Sequence, residues 1–489
     1  MSNSATINRA STAAYAAVLA LSAAALCLLS LTNHLLFHTY GLDLGIYTKA
    51  AYDYAHLRVN DCSFFLWQPS SILADHFDLM LALLSPLVRL GGAWALLAVQ
   101  IVAVLAGEMG IYRLARHRGA SMPTALMLMP LPLLAFGTWH ALGFDYHSNV
   151  VGAMLLPWLA LCVERRRWWP AAILSLLIAI CKESSALWLA FVLAAMMIGH
   201  WRERTIRRPL SIMLAATAVY LAVVMLVVMP SLGGSSMGFW RYRWMGDNFG
   251  QVAAWLVTHP LDAVRNLFVD FTRDADCGHL KREFFVCFLL SGGVCCLLKP
   301  KYLIMLLPPL ALKMLSADPT NFWGLTFHYN VELCIVACVA TVEVVCSLKG
   351  RWPLAASAVA LLLTAGTFFY STDRPLSDIR RAHVNILCRE HYRMYDINTR
   401  AARRMLRQIP PRASVCATTM FTPHLAARDS VYLFPLGTAH NAEYYLIRGK
   451  CWSYYDGDES LATALIADTA HYTLLDSSAN LYLLRRTGR

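Results

Sequence analysis

Five short elements of the sequence carry residue types that can do chemistry. In Gly-Leu-Asp-Leu-Gly, residues 41–45, Asp43 stands between glycines that let the backbone turn tightly and keep a short carboxylate accessible. Such a carboxylate can cap a following helix or accept a substrate proton, and the two roles can coexist. Asp75 and His76 adjoin, an arrangement in which an acid can orient an imidazole or serve as an acceptor. Asp145 and His147 flank Tyr146 in a short loop, where a histidine is either a hydrogen-bond partner of the fold or a substrate contact. Lys182 and Glu183 interrupt an apolar stretch of about 30 residues; ionisable groups at membrane depth are costly unless paired or wetted, so they want partners unless they form a plain polar turn. Arg241 and Arg243 alternate with Trp240, Tyr242 and Trp244. Forked guanidinium donors on an aromatic base can clamp a phosphate, and the competing reading is an interfacial aromatic belt with snorkelling arginines.

The elements that must position these residues are membrane spans. The 489 residues are 58% hydrophobic and 15% charged, with a mean hydropathy of +0.48, which excludes an ordinary soluble globular chain. A hydrocarbon core of about 30 Å needs ~20 apolar residues per helical span. Such runs fall near 12–33, 93–114, 120–138, 148–164, 168–181, 184–200, 209–230, 283–298, 302–315, 328–348 and 353–370, about eleven spans. Basic clusters at Arg9, at Arg113, Arg116 and Arg118, at 165–167, at 202–208, at Lys299 and Lys301, and at Lys349 and Arg351 occupy the short loops. Placing all of them inside puts the N-terminus inside and the C-terminal domain outside. The net charge of +12 therefore resides largely in loops between spans and does not imply nucleic acid. The first apolar run, 13–31, lacks a small-residue cleavage site and reads as a retained anchor.

This reading gives an all-α transmembrane domain over 1–370 and a small soluble α/β domain over 371–489. Two long outside loops, 34–92 and 231–282, belong to the first. Leu44, Tyr47, Ala51 and Tyr54 recur at helical spacing and predict a helix at the membrane surface with Asp43 at its start. The short runs 168–181 and 184–200 can form a re-entrant hairpin with Lys182 and Glu183 at its tip. The tail alternates strand-like runs (SVCAT, VYLF, EYYLI, YTLLD, LYLLRR) with helical ones at 386–408 and 461–468. Cys62, Cys277, Cys388, Cys416 and Cys451 all face an oxidising side on this topology, which permits one or two disulfides without fixing a pairing. No Cys/His metal spacing, P-loop, dinucleotide fingerprint or nucleophile elbow is present.

The order GLDLGIYTKA, ADHFDLMLALLSPL, FDYHSN, ICKESSALW, then PPRASVCATTMFTPHLAARDSVYLFP and AEYYLI resembles the bacterial membrane proteins grouped as domain of unknown function 2079, over roughly residues 40–450. The chain departs from that pattern at Asp145-Tyr146-His147, where the family commonly has His-Pro-Glu, and at Lys182-Glu183-Ser184, where a second acid often follows. The family layout is in turn similar to the GT-C glycosyltransferase superfamily: many spans, a large first outside loop with an acidic residue, and a trailing extracytoplasmic domain. That resemblance implies an enzyme of the cytoplasmic (inner) membrane that moves a sugar from a polyprenyl-phosphate donor to an acceptor glycan, lipid or protein at the outer face. It implies Asp43 as the general base. Arg241, Arg243 or Lys182 would neutralise the departing phosphate, and Asp75, His76, Asp145, His147 and Glu183 would position the sugar or support Asp43. Some GT-C enzymes use a divalent cation, which the acids here could hold although no spacing demands one. From other classes come a lipid-linked sugar or lipid transporter, with the same charges lining a path, and a non-catalytic envelope assembly subunit. The halves show no convincing self-similarity of the kind many transporters carry.

Overall fold

The computed structural model describes residues 2–59, 71–232, 241–272, 277–374, 384–450 and 458–487, with side chains from Thr12 onward. Cys62, Trp240 and Cys451 lie outside them, as does the side chain of Arg9. The chain is mostly helical, with several apolar helices and one small sheet near the C-terminus.

The helices that build the site follow one another in order: α1 (Ser2–Leu35), α2 (Ile46–Ala55), α3 (Met80–Gly91), α4 (Ala93–His117), α5 (Ser148–Met154), α6 (Trp168–Ala179), α7 (Glu183–Gly199), α8 (Lys301–Met314) and α9 (Val331–Ser347). Among the described residues, four helices are long and apolar enough to cross a membrane: Thr12–Leu35, Ala93–His117, Arg204–Ser231 and Trp352–Thr372. A pair bent by 43°, Met122–Leu134 with Phe136–Gly143, makes a fifth if it counts as one span. Eleven spans are therefore not what helix length and composition give. Three of the other runs carry a local interruption or an early stop. At 289–293 the helix kinks where Gly292 takes φ +100, against Thr341; a Cβ there would lie 2.5 Å from the Thr341 hydroxyl. Pro308 and Pro309 lie inside α8, and α6 stops at Ala179, three residues before Lys182. The apolar stretches are real, but they are folded into shorter pieces than a membrane thickness of ~20 helical residues requires.

The basic loops come together at the end of the bundle remote from Asp43. Arg118 pairs with Glu164 at 3.0 Å and approaches Glu343 at 3.4 Å, Lys301 reaches Glu343 at 2.7 Å, and Arg166 pairs with Glu203 at 3.0 Å.

At the other end stands a five-stranded sheet of order β2-β1-β3-β5-β4, formed by β1 (Val415–Ala417), β2 (Val431–Leu433), β3 (Tyr444–Arg448), β4 (Tyr472–Ser478) and β5 (Leu481–Arg486). β1 runs parallel to β2 and β3, and β5 lies antiparallel to β3 and β4. The five strand-like runs of the tail are these five strands. Side-chain alternation sorts their residues into two cores. Val415, Ala417, Tyr444, Leu446, Leu481 and Leu483 face the helical body, while Cys416, Tyr445 and Ile447 face the helix Glu459–Ala467. The long helix expected at 386–408 is confined to α10 (Thr399–Gln408), which Asn398 caps, while His391 ahead of it docks on the Leu28 carbonyl of α1. Cys277, Cys388 and Cys416 are free thiols, with Cys416 buried in the sheet.

The first of these two cores decides the placement of the site. It joins Phe37, Leu44, Tyr47 and Ala51 of the first loop to Leu81 of α3 and to Val415, Phe421, Leu446 and Leu483 of the sheet domain. The helix expected at the membrane surface is therefore enclosed: its apolar face is covered by α3 and the sheet domain, leaving Tyr54 half-buried.

Candidate functional site

Asp43 lies on a π-helical turn, Gly41–Gly45, that leads into α2. The capping positions are held by Tyr40 and Gly45, so Asp43 does not cap the helix. Its carboxylate is 17% exposed and lies 3.4 Å from Nε2 of the buried His147. Gly41 makes the turn possible in this setting. Its N–H donates to the Thr419 hydroxyl of the sheet domain at 2.9 Å, and a Cβ at this position would stand 2.4 Å from the Thr422 hydroxyl, itself bonded to the Thr419 carbonyl. Gly41→Ala should accordingly lower stability by about 1–3 kcal/mol through overpacking. Thr422→Ala in the same chain should recover part of that loss, and thermal unfolding of the single and double variants measures the coupling.

Asp145 and His147 frame this turn from below. Asp145 takes φ 114, a conformation rare for any residue with a side chain and costing of order 1–3 kcal/mol. Three hydrogen bonds hold it there. The Tyr40 N–H donates to Asp145 Oδ2 at 3.1 Å, Gln100 of α4 donates to the Asp145 carbonyl at 3.0 Å, and the His147 N–H donates back to Gln100 at 2.7 Å. The strained residue thus ties the start of the Asp43 turn to the loop that supplies His147. The His147 ring stacks on His328 at 3.7 Å, with Phe144 at 5.5 Å and Tyr47 edge-on at 5.8 Å.

The break between α6 and α7 meets the same place. The Met80 N–H donates to the Ile180 carbonyl at 3.1 Å, which docks the start of α3 on the break. Glu183 accepts from the Phe77 N–H at 2.9 Å and lies 3.3 Å from His76 Nδ1, whose other nitrogen is 3.7 Å from Asp75. Lys182 is buried and within electrostatic reach of His76, Asp78, Glu183 and Glu332. Glu332, in the first turn of α9, accepts from Asn149 at 2.9 Å. Tyr47 lies within electrostatic reach of Asp43, Asp75 and Asp78, so these acids share one locality.

Three residues of this locality carry no signal that the sequence reading used: Asp78, His328 and Glu332. Asp78 is fully buried and accepts from the Leu81 N–H at 3.3 Å. Burial pushes its carboxyl from the ordinary 3.8 up to about 7, against the opposing effects of the Ser148 hydroxyl and Lys182. With the folded-state value above the unfolded one, its share of stability is fully present below the unfolded value and is lost as pH rises through about 7. Asp78→Asn escapes that loss. Between about pH 5 and about pH 8 the wild type should lose roughly 2–3 kcal/mol that the variant keeps. Thermal midpoints in detergent check this: the variant's advantage should grow with pH, and a gap independent of pH contradicts the assignment.

The aromatic-basic run is docked on the last turn of α8 and the chain that follows it. Tyr242 and Trp244 donate to the Leu312 and Leu315 carbonyls at 2.6 and 2.9 Å. Arg241 pairs with Asp318 at 3.0 Å and lies over the Phe322 ring, 4.9 Å from its centroid. Phe322 stacks on Tyr329 at 4.0 Å, and Tyr329 adjoins His328 at 4.1 Å, so a row of rings leads from Arg241 to His147 and Asp43. Arg243 does not join it; it is exposed, 3.8 Å from Asp247. Among the described residues, no three His, Cys, Asp or Glu side chains converge as a metal site.

The arrangement combines a partly exposed carboxylate backed by an imidazole with a buried cation and further acids behind it. It can accept a proton and hold negative charge at one end of a membrane bundle. A family model described as "Predicted membrane protein (DUF2079)" matches residues 14–464. No curated protein matches the chain.

Proposed function

We propose, from the premise that this chain belongs to the DUF2079 family of predicted membrane proteins, that it is a membrane glycosyltransferase of GT-C type. It moves a sugar from a polyprenyl-phosphate donor to an acceptor on the side of the sheet domain, outside the cytoplasmic membrane. The observation that carries the reading is the Asp43 carboxylate, 17% exposed and 3.4 Å from a buried imidazole, on a turn clamped between bundle and sheet domain.

The chemistry follows from those positions. An acceptor hydroxyl gives its proton to Asp43 while its oxygen bonds to the anomeric carbon. The bond from that carbon to the phosphate oxygen breaks, and its electron pair leaves with the polyprenyl phosphate. Lys182 and Arg241 are the cations for that charge. His147 holds Asp43 in place, while Asp75, His76 and Glu183 line the approach on the α6–α7 side. Arg243, exposed beside Asp247, has the weakest support as a phosphate ligand.

Transfer assays in proteoliposomes with polyprenyl-phosphate sugars test the reading. Wild-type protein should release free polyprenyl phosphate and glycosylated acceptor in equal amounts. Movement of intact sugar-lipid across the bilayer, with no phosphate released, would replace the transferase with a transporter.

A further inference from the structure

Two hydrogen bonds fix the depth at which the chain after the last span lies against α1. The buried His391 meets the Leu28 carbonyl at 2.9 Å, and Arg403 donates to the Leu35 carbonyl at 2.8 Å. Leu28 and Leu35 are about 10 Å apart along the helix axis, so residues 391–403 run beside the last two turns of a membrane-spanning helix. A head-group layer is about 5–7 Å thick, so this stretch covers the boundary between acyl chains and head groups.

The residues displayed there suit that boundary. Tyr395 is 67% exposed and Leu387 76% exposed, and Tyr392 is also uncovered. With them stand Arg393 and Arg400, and among the described residues no carboxylate lies within ion-pair distance of either. The neighbouring acid Asp396 faces Arg448 at 3.7 Å, and Arg404 on the same helix is held bidentately by Asp476. An open groove of about 590 Å³ runs between the end of α1 and this segment, lined by Leu36, Tyr392, Arg393, Tyr395, Thr399 and Arg400. It has room for a head group, with the cations Arg393 and Arg400 and the side chains of Leu36, Tyr392 and Tyr395 all in its lining.

We infer that this groove holds an anionic phospholipid of the bilayer, its phosphate on Arg393 and Arg400 and its acyl chain along Tyr395 and the end of α1. The inference stands apart from the transferase reading. It has a consequence for the site, because α10, which carries Arg400, packs Ala402 and Met405 into the core that holds Leu44 and Tyr47. A lipid in the groove pins the sheet domain against the turn that bears Asp43.

Full-length protein in mild detergent, titrated with phosphatidylglycerol or phosphatidylcholine and read by native mass spectrometry, tests it. Wild type should bind phosphatidylglycerol in preference. Two interfacial cations contribute about fivefold each, so Arg393→Gln with Arg400→Gln should weaken that binding about 25-fold and leave phosphatidylcholine unchanged. Arg165→Gln with Arg167→Gln, at the opposite end of the bundle, should change neither. Tyr395→Ser keeps both cations and should weaken both lipids alike, which covers the case of a double variant that does not fold. Undiminished phosphatidylglycerol binding by the double variant overturns the inference. So does displacement of the lipid by inorganic phosphate, which would make this a free-anion site, or binding of polyprenyl phosphate in its place.

Discussion

Asp43→Asn should reduce turnover about a thousandfold while leaving donor affinity within a factor of a few. Loss of a general base removes roughly 10²–10⁴ in rate, and the amide keeps the size and most contacts of the carboxylate. Structural damage is not the expected route, since Asp43 caps no helix and its neighbours Gly41, Leu44 and Gly45 supply the packing of the turn. Folding is the control: the variant should unfold at the wild-type temperature. Steady-state transfer with a polyprenyl-phosphate sugar measures the effect, and a variant that turns over within tenfold of wild type removes Asp43 from the chemistry. His147→Asn should cost less, because it removes the group that holds the base and leaves the base itself in place.

The second large effect concerns stability. Lys182 is the buried cation facing His76, Asp78, Glu183 and Glu332, and Lys182→Met leaves those acids without it. Removing one partner of a buried charge group costs about 3–5 kcal/mol, far more than the pair contributes over an apolar replacement. Lys182→Arg should retain most of the stability. Lys182→Met combined with Glu332→Gln should recover part of the loss, because one uncompensated acid goes with the cation. Denaturant or thermal midpoints in a fixed detergent decide it. A Lys182→Met protein as stable as wild type would show that these acids are neutral without it.

Much of this locality was legible because its polar residues interrupt apolar sequence. Asp43 between glycines, Asp145 and His147 in a short loop, and Lys182 and Glu183 within a long apolar stretch all stand out, and the fold brings them to one end of the bundle. Asp78 and Glu332 did not stand out for physical reasons. Asp78 follows the Asp-His pair by two residues and looks like part of the same polar loop, whereas it points into the body and is buried. Glu332 sits in the first turn of α9, where an acid is ordinary because it complements the helix dipole. Its role comes from a contact with Asn149, 183 residues away. Arg241 was legible as a cation among aromatics, but its ion pair with Asp318 and the row of rings to His147 depend on chain packing.

The fold divides in the same way. Alternation made the strands readable: β1, β2, β3 and β5 each have one face toward each core, and the edge strand β4 is largely exposed. Helix length was not readable from hydropathy, because a left-handed glycine kinks one apolar run at 292 and another stops at Ala179 ahead of Lys182. The enclosure of α2 was hidden for a further reason: a helix buried under a second domain and one lying on a membrane show the same apolar stripe.

The most direct test of the account is native mass spectrometry of gently purified wild-type protein and Asp43→Asn, each loaded with a polyprenyl-phosphate sugar and then given acceptor. Both forms should hold the donor, the wild type should discharge it to free polyprenyl phosphate, and Asp43→Asn should keep the sugar-charged lipid. Discharge by both forms at equal rates, or failure of both to bind any polyprenyl lipid while phospholipid remains attached, would contradict it.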